Sequence, residues 1–125
     1  MSEDVRRRCY ISCPITNGDR IDNYTKSLRA ERFLMSTSWC APLNPGRSIV
    51  LPHAWDGQFS WQDWLDTDLS WVRVSESILR LPGKSPGADE EVALAEELGI
   101  PVFTNMRDLC RHFDPAGNEE KGRKR

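Results

Sequence analysis

The sequence predicts an α/β protein in which helices cover both faces of a parallel β-sheet. Short apolar runs bounded by proline or glycine, which are typical of buried strands, alternate along the chain with longer segments of helical periodicity. Strands that are separated by helices pair in parallel, and the helices between them pack on the two faces of the sheet. At 125 residues the chain is long enough for one such domain and too short for two.

The predicted elements follow the order strand, helix, strand, long loop, helix, strand, helix, strand, helix. Pro42 and Pro45 restrict the second strand to a strand end or a sheet edge. We expect a Rossmann- or flavodoxin-like sheet, with residues 1–113 forming the domain and residues 114–125 a flexible polar tail. The predicted strands are residues 9–13, 41–45, 77–81 and 101–103. The predicted helices are residues about 21–37, 60–74, 85–99 and about 105–113.

One carboxylate lies on the apolar side of the helix predicted between Ser85 and Gly99. At about 100° per residue, Glu91 falls between Ala95 and Leu98, whereas the other acidic residues of this helix fall on the opposite side. A carboxylate in that place loses hydration, so its pKa rises unless a partner holds it ionised. Such a group is typical of a functional site, although a structural ion pair is the alternative.

Asp68 repeats this anomaly on the preceding helix. Taken alone, each inward carboxylate is best explained as the partner of an inward arginine or as the cap of a neighbouring loop. Two of them, next to the Ser-Pro-Gly loop at residues 85–87, favour a functional site. The apolar arc that we predict around Asp68 contains Trp61, Trp64, Leu65, Leu69, Trp71 and Val72.

Composition excludes several classes of partner. The net charge of −2 argues against a surface that binds a nucleic-acid polymer. The chain has no apolar run of transmembrane length and its start does not resemble a signal peptide, so we expect a soluble cytoplasmic protein that does not bind membranes. Four cysteines and two histidines lack the spacing of a zinc site, so we expect reduced cysteines that fill the core, and no metal.

The fold class also predicts where a ligand binds. In open parallel sheets the binding crevice lies beyond the carboxyl ends of the strands, where loops 13–20, 46–59 and 81–87 meet. The last loop delivers Ser85 and Gly87 to the start of a helix, which suits one phosphate group. The glycine fingerprints of dinucleotide-binding and P-loop proteins do not occur in this sequence.

Three segments resemble the motifs of the nucleoside 2-deoxyribosyltransferase superfamily. Residues 10–16 (YISCPIT) resemble its first strand, residues 64–72 (WLDTDLSWV) its central helix, and residues 91–102 (EVALAEELGIPV) its nucleophile helix. The resemblance covers most of residues 8–103 and is closest to small phage and bacterial members. It implies a transferase or hydrolase that acts on nucleosides or nucleotides.

The resemblance also implies roles for individual residues. Glu91 matches the glutamate that attacks the anomeric carbon, Asp68 an aspartate that orients it or the sugar hydroxyls, and Tyr10 a tyrosine that lies against it. Ser85 stands where the transferases carry an aspartate that assists protonation of the base. With Gly87, it resembles the 2'-deoxynucleoside 5'-monophosphate N-hydrolases, in which the serine contacts the 5'-phosphate.

Further candidate ligand contacts come from the loops around the crevice. Cys13 stands where the superfamily usually has glycine, which either narrows the pocket or shifts the strand end, and Ile15 follows it. Surface exposure explains the loop arginines about as well as binding does, a lone loop histidine is more often merely exposed, and core packing explains Trp61 equally well. The candidates are Arg20 and Arg47 for a phosphate, His53 as a donor to the departing base, and Trp55, Phe59 and Trp61 for base stacking.

These observations leave two main hypotheses of function; a structural phage or accessory protein with a vestigial pocket ranks last, because inward carboxylates without a role are costly to keep. The first is an N-glycosidase that acts on nucleotides or nucleosides, by hydrolysis or by deoxyribosyl transfer, without a cofactor. The second is a non-catalytic nucleotide-binding protein, a sensor or a sponge, on the same scaffold. Inward Glu91 and Asp68 favour the enzyme, whereas Cys13 and Ser85 favour the binder. The resemblance further implies a homodimer or a larger homo-oligomer, which the tryptophan content fits.

Overall fold

The computed structural model describes residues 5–15, 17–46 and 58–116, and within these ranges the elements occur in the predicted order. None of the described helices is long and apolar enough to cross a membrane. The strands are β1 (Arg7–Ser12), β2 (Cys40–Leu43), β3 (Ser77–Arg80) and β4 (Val102–Phe103), and the helices are α1 (Arg20–Met35), α2 (Trp61–Val72), α3 (Pro86–Leu98) and α4 (Met106–Phe113).

The described strands form one parallel sheet in the order β2-β1-β3-β4. Tyr10 of β1 lies beside Leu43 of β2 and Ile78 of β3. The chain leaves β1 toward β2 on one side and returns to β3 on the other. The order therefore reverses between β1 and β3, which is the point where such sheets bind ligands. The predicted parallel α/β sheet is confirmed.

The two faces of the sheet carry separate cores, as predicted. Side chains alternate along β1, so that neighbouring residues point to opposite faces. Cys9 and Ile11 pack with Leu34 of α1 and Leu109 of α4. On the other face Tyr10 and Ile78 pack with Val72 of α2 and Ala95 of α3. The helices α2 and α3 thus lie together on the face that Tyr10 occupies.

The apolar arc predicted for α2 is partly wrong. Trp61 is 58% exposed and Trp71 is 53% exposed, whereas Leu65 and Val72 are buried. Leu98, predicted on the buried side of α3, is 45% exposed. Helical periodicity shows which side of a helix is apolar, but it does not show how far the sheet extends beneath that side. At the start of α2 a cavity lies where a core was expected, and Trp61 lines it.

The loop from β3 to α3 is held close to the end of β1. Gly83 has a φ of 121°, and a Cβ atom there would lie 2.7 Å from Cγ of Pro14. Only glycine permits both this conformation and this approach. Ser85 then caps α3, because its hydroxyl accepts a hydrogen bond from the Ala88 amide at 3.1 Å. The helix ends at Gly99, as the sequence predicted.

Candidate active site

A cavity of about 630 Å³ opens at the carboxyl ends of β1 and β3. Its walls come from the three loop regions that the sequence predicted and from one side of α2. These walls are rich in aromatic and aliphatic side chains, and the polar groups lie at the foot and the mouth, which is the usual composition of a small-molecule site. The lining residues that the sequence singled out are Cys13, Ile15, Arg20, Phe59, Trp61, Asp68, Ser85, Gly87 and Glu91.

Glu91 forms the foot of the cavity and is only 6% exposed. The Tyr10 hydroxyl donates a hydrogen bond to its Oε2 atom at 2.8 Å, and the Ser12 hydroxyl donates to its Oε1 atom at 2.7 Å. The two donors reach the same carboxylate because residues two apart on a strand share a face. Each oxygen of Glu91 therefore has one hydroxyl partner from β1.

Opposing effects act on the ionisation of Glu91. Burial is the largest and raises its pKa, while the hydrogen bonds from Ser12 and Tyr10 and the positive charge of Arg80 lower it. The net direction is upward. Burial and the neighbouring carboxylate raise the pKa of Tyr10 far above its usual value, so this hydroxyl keeps its proton and remains a donor.

Asp68 supplies a second carboxylate to the same cavity from the middle of α2. Partial burial and the negative charge of Glu91 raise its pKa from 3.8 to about 7. Among the described residues, no side chain or amide donates a hydrogen bond to Asp68. The two carboxyl groups repel each other when both are ionised, and this repulsion favours the protonated form of Asp68.

Cys13 brings a thiol to the wall beside Glu91. The side chain is 8% exposed, and burial together with Glu91 raises its pKa to about 11, so the thiol is neutral at physiological pH. Cys9, Cys40 and Cys110 are also unpaired and belong to or pack against the core, which confirms the predicted structural cysteines. Within the described ranges, no three side chains form a group that could hold a metal ion.

The mouth of the cavity combines a helix N-terminus with a cation. Ser85 and Gly87 lie at the first turn of α3, and Arg20 lies at the start of α1. A Cβ atom at Gly87 would meet nothing within 4 Å, so the protein leaves open space beside it. Since Ser85 Oγ already accepts the Ala88 amide, its hydroxyl proton remains to be donated to a ligand.

Aromatic side chains form the opposite wall. Phe59 and Trp64 meet edge to face, with ring centroids 5.9 Å apart. Trp61 lines the cavity with more than half of its surface exposed, so it is not a core residue. A flat and exposed ring in a cavity wall is suited to stacking against a second ring. Trp55, His53 and Arg47 lie outside the described residues.

The sequence analysis missed two groups that act on Glu91. Ser12 stands within the quoted YISCPIT segment, and its alternation with Tyr10 was the signal that would have placed it on the same carboxylate. Arg80 follows the buried apolar run of β3, and its charge lowers the pKa of Glu91. The position of Arg80 inside the predicted buried strand 77–81 was the signal that could have distinguished it from the other arginines of the chain.

Comparison with known proteins identifies the class of fold. No family model matches this chain, and no curated protein matches its sequence. Among solved structures, the 2-deoxyribosyltransferase of the psychrotolerant bacterium Bacillus psychrosaccharolyticus is similar, with a TM-score of 0.55. The likeness covers 76% of this chain and 69% of that enzyme at 22% identity. The chain therefore has a nucleoside 2-deoxyribosyltransferase-like fold, as the sequence motifs predicted.

Proposed function

We propose that this protein is an N-glycosidase that cleaves the bond between base and sugar in a nucleotide or nucleoside. The observation that carries the proposal is the buried Glu91 carboxylate, which is held on both oxygens by hydroxyl groups and stands beside Asp68 at the foot of an open cavity. The similarity of the fold to a 2-deoxyribosyltransferase, described as a suitable biocatalyst for the industrial synthesis of nucleosides, supports the same class of substrate. By itself, fold similarity is an analogy.

The reaction requires a carboxylate next to the anomeric carbon. Cleavage of an N-glycosidic bond passes through an oxocarbenium-like transition state, which a nearby negative charge stabilises. An oxygen of Glu91 forms a bond to the anomeric carbon as the carbon–nitrogen bond breaks, and the electron pair of that bond leaves with the base. Water then resolves the sugar ester in hydrolysis, or a second base does so in transfer. Either step restores the Glu91 carboxylate.

Asp68 and Tyr10 complete the proposed catalytic group. Asp68 carries a proton below a pH of about 7, and it can donate that proton to the departing base or bind a sugar hydroxyl. Tyr10 lies against the nucleophile and fixes one of its oxygens. Neither role needs a cofactor.

The mouth and the aromatic wall suggest how the substrate is oriented. Arg20, the Ser85 hydroxyl and the first turn of α3 offer a positive and hydrogen-bonding environment for a 5'-phosphate. Trp61 and Phe59 offer aromatic surface to the base. Cys13 and Ile15 line the wall on the β1 side, where they limit the space around the sugar. This proposed phosphate site favours a nucleotide over a free nucleoside as substrate.

The test of the proposal is base release from a panel of substrates. Ribo- and deoxyribonucleosides and their 5'-monophosphates are incubated with the protein, with and without a second base, and the products are separated by chromatography. Free base without an acceptor indicates a hydrolase, and exchange that requires the second base indicates a transferase. No release or exchange with any substrate contradicts the enzymatic proposal.

The second candidate function is nucleotide binding without turnover. The observation in its favour is the thiol of Cys13, which occupies the cavity wall beside Glu91 where the superfamily usually has glycine. Ser85 also favours this candidate, because it stands where the transferases carry an acidic residue. Ligands that raise the melting temperature but yield no free base would support this candidate.

We expect Trp61→Leu to weaken binding of a nucleotide by about tenfold, the usual worth of stacking a base on an aromatic ring. Isothermal titration with a 5'-monophosphate measures the loss. The matched control is Trp71→Leu, which removes an equally exposed tryptophan of the same helix from outside the cavity. Equal affinities of the two variants would contradict a base-binding role for Trp61.

A further inference from the structure

Ser12 is the partner of Glu91 to which the proposed function assigns no role. Its hydroxyl lies 2.7 Å from Glu91 Oε1, a shorter contact than the 2.8 Å between the Tyr10 hydroxyl and Glu91 Oε2. The side chain of Ser12 is fully buried. A polar side chain enclosed in this way is costly unless its hydrogen bond is made, and here that bond goes to the proposed nucleophile.

The backbone around Ser12 holds this hydroxyl in place. Ser12 is the last residue of β1 and pairs with Arg80 of β3. Its carbonyl oxygen accepts a hydrogen bond from the Leu81 amide at 2.8 Å. The serine therefore lies on the sheet rather than on a loop, and the sheet fixes the position from which its side chain reaches Glu91.

Two donors on two oxygens also define the orientation of the carboxylate. With Tyr10 on one oxygen and Ser12 on the other, the plane of the Glu91 carboxylate is fixed and cannot rotate freely about its terminal bond. A hydrogen bond to an ionised group is stronger than one to its neutral form. Both donors therefore favour the ionised nucleophile against the opposing effect of burial.

We propose that Ser12 is a positioning residue of the active site, whose hydroxyl, with that of Tyr10, fixes the orientation of the Glu91 carboxylate and favours its ionised form. The inference rests on the proposed function in taking Glu91 as the nucleophile. The other ionisable groups that act on Glu91 or on the groups around it are Tyr10 and Cys13 from the end of β1, Asp68 from α2 and Arg80 from β3. A substitution at Ser12 leaves all of them in place.

The test is Ser12→Ala, followed by the titration of Glu91 itself. Protein labelled with carbon-13 at the glutamate carboxyl carbons shows each glutamate by NMR, and Glu91→Gln identifies the resonance of Glu91. We expect the Glu91 midpoint to rise by about one pH unit in Ser12→Ala, since a hydrogen bond to a charged group is worth about tenfold or more in equilibrium. In turnover, kcat at a pH below the wild-type midpoint of Glu91 falls by a similar factor, KM changes little, and the deficit narrows as pH rises above that midpoint.

Two further variants separate positioning from structure. Ser77→Ala removes an equally buried serine from the neighbouring strand, on the sheet face opposite Glu91, and leaves the midpoint unchanged. Ser12→Cys keeps the shape with a weaker donor and gives an intermediate midpoint. If Ser12→Ala fails to fold, the Glu91 midpoint in Ser12→Cys tests the inference by itself.

A Glu91 midpoint that stays at the wild-type value in the folded Ser12 variant overturns the inference. The NMR titration needs no substrate, so it separates this inference from the proposed function. If the Glu91 midpoint shifts in the Ser12 variant but the protein releases no base from any substrate, the role of Ser12 stands and the glycosidase proposal fails. If the protein releases base but the midpoint does not shift, the glycosidase proposal stands and the role of Ser12 fails.

Discussion

Glu91→Gln is expected to lower base release by on the order of 10³-fold or more while the protein keeps its fold and its ligand affinity. Glutamine preserves the size of the side chain and can still exchange hydrogen bonds with the Tyr10 and Ser12 hydroxyls. It cannot form the sugar ester or stabilise the oxocarbenium charge. Chromatographic assay of base release gives the rate, and titration calorimetry with the same substrate gives the affinity.

The stability of Glu91→Gln follows from the direction of the pKa shift. Burial raises the pKa of Glu91 in the folded state above its unfolded value, so its contribution to stability is lost as pH rises through the folded pKa. At pH 8 the neutral variant should therefore be at least as stable as the wild type. Glu90→Gln, an exposed neighbour, is the control and should alter neither rate nor stability. Full turnover by Glu91→Gln would show that another group attacks the sugar.

Much of the fold was predictable because local signals agreed with one another. The order of elements, the parallel sheet and the inward direction of Glu91 and Asp68 follow from periodicity and from stop signals such as Gly99. These signals come from residues within one or two helical turns of each other, and the packing of the helices on the sheet agrees with them. The contact of Tyr10 with Glu91 followed only from the resemblance, since it joins residues 81 positions apart.

The sequence did not predict how much of each helix is covered by the rest of the protein. Periodicity assigned Trp61 and Trp71 to a buried side, but the cavity and solvent lie there instead. The hydrogen bond of Ser12 depends on the depth at which α3 crosses β1, which a sequence pattern does not contain. The catalytic and ligand-binding roles of all the site residues stay predictions, and His53 and Trp55 lie outside the described residues. The homo-oligomer and the division into a domain and a tail at residues 114–125 also stay predictions.

Asp68→Asn is expected to lower base release by about 10²-fold near neutral pH and to remove the alkaline limb of the pH profile. In the proposed mechanism, base release falls at low pH as Glu91 gains a proton and falls above a pH of about 7 as Asp68 loses one. Asparagine cannot titrate, so only the acid limb remains in a profile of kcat against pH. An alkaline limb that persists in Asp68→Asn would assign it to a different group.

The same variant should be more stable than the wild type at pH 8 and equally stable at pH 4. A folded pKa raised from 3.8 to about 7 means that the stability contributed by Asp68 is complete below pH 3.8 and is lost as pH rises to 7. Such a shift amounts to about 4 kcal/mol at full burial. Because solvent reaches Asp68, we expect a gain of about 2 kcal/mol in the free energy of unfolding at pH 8.

Urea unfolding at the two pH values measures this difference, with Asp66→Asn as the matched control. Asp66 is an exposed aspartate of the same helix, and its substitution should leave stability at pH 8 and pH 4 and the rate of base release close to wild type. A stability gain combined with a loss of turnover would identify Asp68 as a group kept for function at the expense of folding. A loss of stability at pH 8 would instead show that Asp68 has a structural partner, and the raised pKa of Asp68 would be wrong.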